Sequence, residues 1–192
     1  MDTSASLLER VQARSDAGWQ RLVELYTPLI RTWVGRHVWQ IDDVNDVVQQ
    51  VFTVVVARLP EFVHNGRAGA FRHWLRSITV NHLRAYWRSR RQLGGQAEAE
   101  ATLEQLEDPA SDPSRRWDAE HDSHVAQKLL EYVQPEFRPA TWEAFRRQVI
   151  DEASAEEVAA ELGLSINAAL IAKSRVLRRL RREAGGLLDG SA

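Results

Sequence analysis

The sequence predicts an all-α protein in which a flexible acidic linker joins two small helical domains. Apolar residues recur at spacings of three and four along most of the chain, which is the period of an amphipathic helix. Charge is segregated as well, since residues 62–91 carry seven arginines and no acid, whereas residues 96–124 carry nine acids and two arginines. We place the domains at 1–92 and 116–186, the linker at 93–115 and a short tail at 187–192.

The composition excludes several classes of protein. The 192 residues are 44% hydrophobic and include seven tryptophans, enough for a core, and the net charge is only −2. There is no cysteine, which excludes disulfides, thiol catalysis and cysteine-ligated zinc. The N-terminus lacks the apolar region of a signal peptide, and apolar runs such as Val54–Ala57 are far too short to span a membrane. We therefore expect a cytoplasmic protein with no membrane insertion.

Two helices are predicted before residue 36. The first lies within residues 4–14. Asp16 caps the second, in which Pro28 is expected to cause a kink or a helix boundary near Thr27.

The third helix follows Asp42, its predicted cap, and ends at Pro60. Its β-branched run favours a strand, but its valines form a stripe over four helical turns, so we predict a helix. The opposite face carries a polar patch of Asp46, Gln49, Gln50 and Thr53. This patch is either simply exposed or a docking surface.

A glycine-containing loop at 63–70 leads into a long predicted helix at 71–91, which is rich in arginine. One face of this helix is predicted to be buried in the core. The other face combines arginines with apolar residues: Arg72, Arg76, Val80, Leu83, Arg84, Trp87 and Arg91. Arginines beside an aromatic ring suit single-stranded nucleic acid, which offers phosphates and stacking bases. Alternatively, Val80, Leu83 and Trp87 form a second packing stripe.

The linker is too acidic and too poor in aromatic residues to bury much surface, so we expect it to be disordered apart from a helical turn near Thr102–Glu107. Two helices follow, one marked by Trp117 and one capped by Thr141. The chain then ends in a short tail that we expect to be frayed.

Residues 154–182 predict a helix-turn-helix, SAEEVAAELGLSINAALIAKSRVLRRLRR. Ser154 caps the first helix with Glu157 three residues later, and Gly163 ends it. Ser165 caps the second helix, whose predicted buried face consists of Ile166, Ala169, Ala172, Val176 and Leu180. The second helix ends in a cluster of basic residues. The alternative is an αα-hairpin whose basic end is merely solvated.

Patterns of catalytic and ligand sites are missing from the sequence. His121 and His124 stand one helical turn apart without a third ligand nearby, so we expect no metal. The sequence has no glycine-rich phosphate loop and no nucleophile elbow. We therefore expect no cofactor, no small-molecule substrate and no enzymatic activity.

Three segments, taken in their order along the chain, resemble the extracytoplasmic-function (ECF, group IV) sigma factors of bacterial RNA polymerase. DVVQQVF at Asp46–Phe52 resembles the polymerase-binding motif of that family, with Gln50 where an acid is common. FRHWLRSITVNHLR at Phe71–Arg84 resembles the segment that recognises the minus-10 element, and residues 154–182 resemble the helix-turn-helix that reads the minus-35 element.

The resemblance implies a sigma factor whose first domain, region 2, binds core polymerase and melts the promoter. The implied polymerase-binding residues are Asp46, Gln49, Gln50, Phe52 and Thr53. The implied minus-10 residues are His64, Asn65, Arg67, Arg72, Arg76, Asn81, Arg84, Trp87, Arg88 and Arg91. The linker would follow the active-site and RNA-exit channels as a mimic of nucleic acid.

The second domain, region 4, is implied to bind the minus-35 element as a duplex. The implied residues are Ser165, Asn167, Ala168, Leu170, Ile171, Lys173, Ser174, Arg175, Arg178 and Arg179. Asparagine can read adenine, arginine can read guanine, and apolar side chains can meet thymine methyl groups. The implied partners are the β′ clamp helices and the β flap of core polymerase, promoter DNA and an anti-sigma factor.

Two other functions remain open at this point. A stand-alone helix-turn-helix transcriptional regulator would be a dimer on a symmetric operator, although it has no need of the glycine loop and arginine helix at 63–91. An adaptor or anti-regulator would bind only protein, and its arginine faces would then lack a nucleic-acid partner.

Overall fold

The computed structural model describes residues 5–64, 69–90 and 96–188, and for 96–99 it describes the backbone alone. The fold class is all-α as predicted, since these ranges contain helices and no strand. The α-helices are α1 (Leu7–Gln12), α2 (Asp16–Gly35), α3 (Ile41–Arg58), α4 (Ala70–Ser89), α5 (Gln96–Glu107), α6 (Asp112–Val133), α7 (Pro139–Val149), α8 (Ala155–Leu162) and α9 (Ile166–Glu183). Short 3₁₀ turns at Leu59–Glu61 and Gln134–Glu136 follow α3 and α6.

Some helix starts differ from the predictions. Ser15, not Asp16, caps α2, and its hydroxyl accepts a hydrogen bond from the Gly18 N–H. α3 starts after Gln40 without a side-chain cap. α7 starts after Arg138, three residues before the predicted cap Thr141, with Pro139 in its first turn.

α2 and α3 show that packing outweighs local preference. α2 runs through Pro28 without a boundary near Thr27, since Leu25, Leu29 and Ile30 are buried on both sides of the proline. α3 is the predicted helix despite its β-branched run. Its valine stripe is buried: Val44, Val47, Val48, Val51 and Val55.

A large core unites α1 to α6, which differs from the domain boundary predicted at 116. The buried Trp117 of α6 lies 4.7 Å from the ring of Trp33 in α2, and Val125 and Leu129 of α6 belong to the same core. α6 therefore packs largely with the N-terminal helices.

Residues 96–107 of the predicted linker form α5, a longer helix than the single turn predicted near Thr102–Glu107. Leu103 and Leu106 of α5 are buried in the large core at 0% and 2% exposure. Burying a leucine contributes about 1.5–3 kcal/mol, so these two side chains help to hold an acidic segment whose composition alone suggests disorder.

A small second core lies between α7, α8 and α9, and consists of Ala144, Val158, Ala169 and Ala172. The C-terminal end of α9 leaves this core and joins the large one, because Leu180, Ala184 and Leu188 pack against it and Leu187 is buried in it. Leu187 and Leu188, the start of the tail that was predicted to be frayed, are therefore packed, and residues 189–192 lie outside the described residues. α9 thus connects the two cores.

Candidate nucleic-acid interfaces

The helix-turn-helix of α8 and α9 is built by its caps, as predicted. The Ser154 hydroxyl accepts a hydrogen bond from the Glu157 N–H at 3.2 Å, and the Glu157 carboxylate accepts one from the Ser154 N–H at 2.8 Å. Gly163 ends α8 with φ +64°, a conformation that favours glycine. The Ser165 hydroxyl then accepts a hydrogen bond from the Ala168 N–H at 3.1 Å and starts α9.

The first half of α9 exposes most of the side chains that the resemblance assigns to the minus-35 element. Ser165, Asn167, Ser174 and Arg175 are exposed, and Ala168 and Lys173 are half-buried. Leu170 and Ile171 expose 49% and 43% of their surface.

The predicted buried face of α9 is confirmed at Ala169, Ala172 and Val176 but not at Ile166. Ile166 is the first residue of α9 and is 46% exposed. Together with Leu170 and Ile171 it gives this helix an apolar surface.

Lys173, Arg175 and Arg178 on α9 form no ion pair with any residue in the described ranges. Arg175 and Arg178 are also exposed. Their positive charges are therefore available to an external anion.

Arg179 differs from these neighbours. It donates hydrogen bonds to Glu136 at 2.7 and 2.8 Å and to Glu183 at 2.7 Å, and its side chain is only 11% exposed. The structure thus places Arg179 in an internal ion cluster with Glu136 and Glu183, and its assignment to the minus-35 element stays a prediction.

Arg72, Arg76 and Arg84 of α4, predicted to meet the minus-10 strand, instead meet acids of α5 and α6. Arg72 lies 3.1 Å from Asp122 and 3.5 Å from Asp118, and Arg76 lies 3.0 Å from Asp118. Arg84 lies 3.3 Å from Glu100 and also pairs with Glu107. The long-range pairing was not predictable from the spacing within α4.

Arg76 is the most enclosed of the three, with a side chain 3% exposed. It also donates a hydrogen bond to the Ser114 carbonyl at 3.3 Å. Burial lowers the pKa of Arg76, Asp118 opposes this shift and Arg72 adds to it. Such a guanidinium is a structural charge, because removing it would leave Asp118 without its closest partner.

The remaining predicted minus-10 residues divide into three groups. Asn81 and Arg88 are exposed on α4, and His64 is exposed just after the 3₁₀ turn. Trp87 is half-buried against the large core, and Val80 and Leu83 are buried in it, which favours the packing-stripe alternative for this side of α4. Asn65, Arg67 and Arg91 lie outside the described residues.

The polar patch on α3 is exposed as predicted. The side chains of Asp46, Gln49, Gln50 and Thr53 all reach solvent, and the Thr53 hydroxyl donates to the Gln49 carbonyl at 2.9 Å. Phe52 is half-buried and packs against the large core, so at most part of its ring is available to a partner.

The sequence analysis missed a buried carboxylate that links the two cores. Glu183, near the end of α9, is 0% exposed and accepts hydrogen bonds from Arg10 of α1 and Arg179, while Arg21 of α2 lies 3.6 Å away. Burial raises the pKa of Glu183, but the hydrogen bonds from Arg10 and Arg179 outweigh it, so the pKa lies below its ordinary value. The spacing of four between Arg179 and Glu183 was the only sequence signal.

A second missed cluster surrounds His121, which is fully buried in α6. Its Nε2 lies 3.1 Å from the Tyr26 hydroxyl and its Nδ1 lies 2.9 Å from Asp122. Burial, with a smaller contribution from Asp122, raises the pKa of Tyr26 well above its ordinary value. His124 instead bonds to the Leu25 carbonyl at 2.7 Å. Both histidines therefore have structural partners.

Comparisons with known proteins find no matching family model and no matching curated protein. In the ranges that the structure covers, no group of three or more ligating residues could hold a metal ion. Among the same residues, every helix is too short or too polar to cross a membrane.

Proposed function

We propose that this chain is a sigma factor of the ECF type, which binds core RNA polymerase and directs transcription from specific promoters. The observation that carries the proposal is the capped helix-turn-helix whose Lys173, Arg175 and Arg178 have no partner among the described residues. A helix that leaves cations unpaired beside exposed side chains such as Asn167, Leu170 and Ile171 suits the major groove and its phosphates.

The exposed polar patch on α3 supports the polymerase-binding part of the proposal. It lies on a helix whose opposite face is fixed in the large core, so the patch is held rigidly and presents its amides and one carboxylate to solvent. In this function it binds the clamp helices of the β′ subunit, and α7 to α9 bind the β flap and the minus-35 duplex.

α9 combines few base-reading polar groups with an apolar surface. Asn167 and Arg175 have the donors and acceptors that read adenine and guanine, and Leu170 and Ile171 suit thymine methyl groups. The docked polymerase and the melted strand on α4 then add the remaining promoter specificity. An anti-sigma factor is the expected regulatory partner.

Transcription in vitro with core polymerase and genomic DNA tests the proposal. We expect start sites that appear only when the chain is added and that share sequences near minus-10 and minus-35. Asp46→Ala combined with Gln50→Ala should abolish these starts, whereas Arg31→Ala, an exposed change on α2, should leave them.

Absence of chain-dependent starts with an active polymerase would overturn the proposal. If the chain instead proves to be a dimer that protects a symmetric operator without polymerase, the function is that of a stand-alone regulator. Sedimentation of the free chain separates the two, because the sigma factor is expected to be a monomer.

A further inference from the structure

The acidic part of the chain covers the basic side of α4 over most of its length. Arg72 and Arg84 are twelve residues apart, which is about 18 Å along a helix. Within that distance Arg72 and Arg76 form ion pairs with Asp118 and Asp122 of α6. Arg84 forms ion pairs with Glu100 and Glu107 of α5. Carboxylates therefore occupy the positions at which phosphates of a nucleic-acid strand would meet these arginines.

The acids are held there by more than their charge. Leu103 and Leu106 anchor α5 in the large core. The Ser114 hydroxyl donates to the Leu106 carbonyl at 2.9 Å, which fixes the turn between α5 and α6. A segment anchored in this way is a defined cover and holds its carboxylates at fixed positions, unlike a disordered acidic tail.

The cover limits the access of partners to the three arginines. The side chains of Arg72 and Arg84 are 17% and 18% exposed, and that of Arg76 is 3% exposed. A strand cannot reach these guanidinium groups without displacing the acids. By contrast, Asn81 and Arg88 on the same helix remain exposed.

We propose that α5 and the first half of α6 act as an internal competitor for single-stranded DNA. In the free chain their carboxylates occupy the strand-binding side of α4, and strand binding requires that they move away. The inference rests on the proposed function, in which α4 holds the melted strand. The chain would then bind a single strand weakly until a partner such as polymerase draws α5 aside.

The test measures binding of a fluorescein-labelled oligothymidylate to the full-length chain by fluorescence anisotropy, without polymerase. Glu100→Gln combined with Glu107→Gln removes the acids that hold Arg84. Ion pairs of this exposure are individually weak, so we expect binding to tighten by about threefold to tenfold.

The control, Glu104→Gln combined with Asp112→Asn, changes the net charge by the same amount, at one residue of α5 and one of α6. The Glu104 side chain has no partner among the described residues, and Asp112 pairs with Arg115 of its own helix. We expect the control to change binding less than twofold. Adding Arg84→Ala to the paired variant should remove its gain.

Hydrogen exchange provides a second measurement on the unmodified chain. We expect saturating oligothymidylate to raise amide exchange in residues 100–107 and to lower it in α4. Equal tightening in paired variant and control, no tightening in either, or unchanged exchange in α5 would overturn the proposal. Since these experiments contain no polymerase, failure of this inference can be distinguished from failure of the proposed function in the transcription test.

Discussion

α4 and α9 both carry several arginines, but their neighbours give those arginines different roles. α4 lies within the large core with helices on several sides, so acids of α5 and α6 reach Arg72, Arg76 and Arg84. α9 packs partly on a small, alanine-rich core and has one side without a neighbour among the described residues, where Arg175 and Arg178 remain exposed. An arginine cluster is a structural element in the first environment and a candidate binding surface in the second.

The largest expected effect tests whether the cover on α4 is part of the core. Leu103→Ala removes a fully buried side chain of α5 and should lower the free energy of unfolding by about 3 kcal/mol. Leu170→Ala on α9 is the matched control, and since Leu170 is half exposed it should change stability by less than about 1 kcal/mol. Urea denaturation of both variants measures the difference. Equal stabilities would mean that α5 does not contribute to the core.

The next effect compares the arginines directly. Arg76→Ala leaves Asp118 without its closest partner beside the buried Ser114, and should cost about 2.5 kcal/mol of unfolding free energy. Arg178→Ala should cost less than about 0.5 kcal/mol, because that side chain is exposed. Thermal or urea unfolding provides both values, and similar costs would contradict the division between the two helices.

The buried Glu183 makes the free energy of unfolding depend on pH, and it lies at the point where α9 meets the large core. Its pKa is lowered on folding, so its contribution is complete at neutral pH and is lost as the pH falls below about 4.3 toward the folded value. Glu183→Gln should therefore cost about 2 kcal/mol at pH 7, a difference that shrinks in acid. Urea unfolding at several pH values measures it.

Glu104→Gln is the control for this pH series, since Glu104 is exposed on α5. Its cost should stay below about 0.5 kcal/mol at every pH. A Glu183→Gln cost that is constant between pH 7 and pH 3 would contradict the assignment.

The smallest effect concerns DNA. Arg175→Ala should weaken binding to promoter duplex about tenfold, or ~1.4 kcal/mol, and lower the salt dependence, without changing stability. A mobility-shift titration at several salt concentrations measures both. Unchanged affinity together with unchanged salt dependence would remove Arg175 from the interface.

Local signals in the sequence predicted the local structure well. Ser154, Gly163 and Ser165 act through hydrogen bonds and φ values within a few residues, so their roles in the helix-turn-helix could be predicted directly. The valine stripe of α3 was equally reliable, because a strand alternates with a period of two and does not produce a helical period over four turns.

Contacts between distant residues could not be predicted in the same way. Arg76 and Asp118 are 42 residues apart, and Arg10 and Glu183 are 173 apart, so no spacing rule connects them. The full length of α5 was not predicted for the same reason, since Leu103 and Leu106 gain their burial only when α4 and α6 are already beside them. The segregation of basic and acidic blocks along the sequence was the feature that reflected this pairing.

The carboxylates that α5 and α6 hold against α4 would also make the two proposed DNA interfaces respond differently to salt. A protein that places unpaired cations on DNA releases condensed counterions, so its affinity falls steeply as the salt concentration rises. Under the proposed function, strand binding on α4 would exchange carboxylates for phosphates, and the released acids would attract cations again, which would flatten the slope. Duplex binding through Arg175 and Arg178, which have no ion-pair partner among the described residues, would keep its full slope. A rise in ionic strength would therefore weaken duplex binding more than strand binding, and so favour single-stranded over double-stranded DNA.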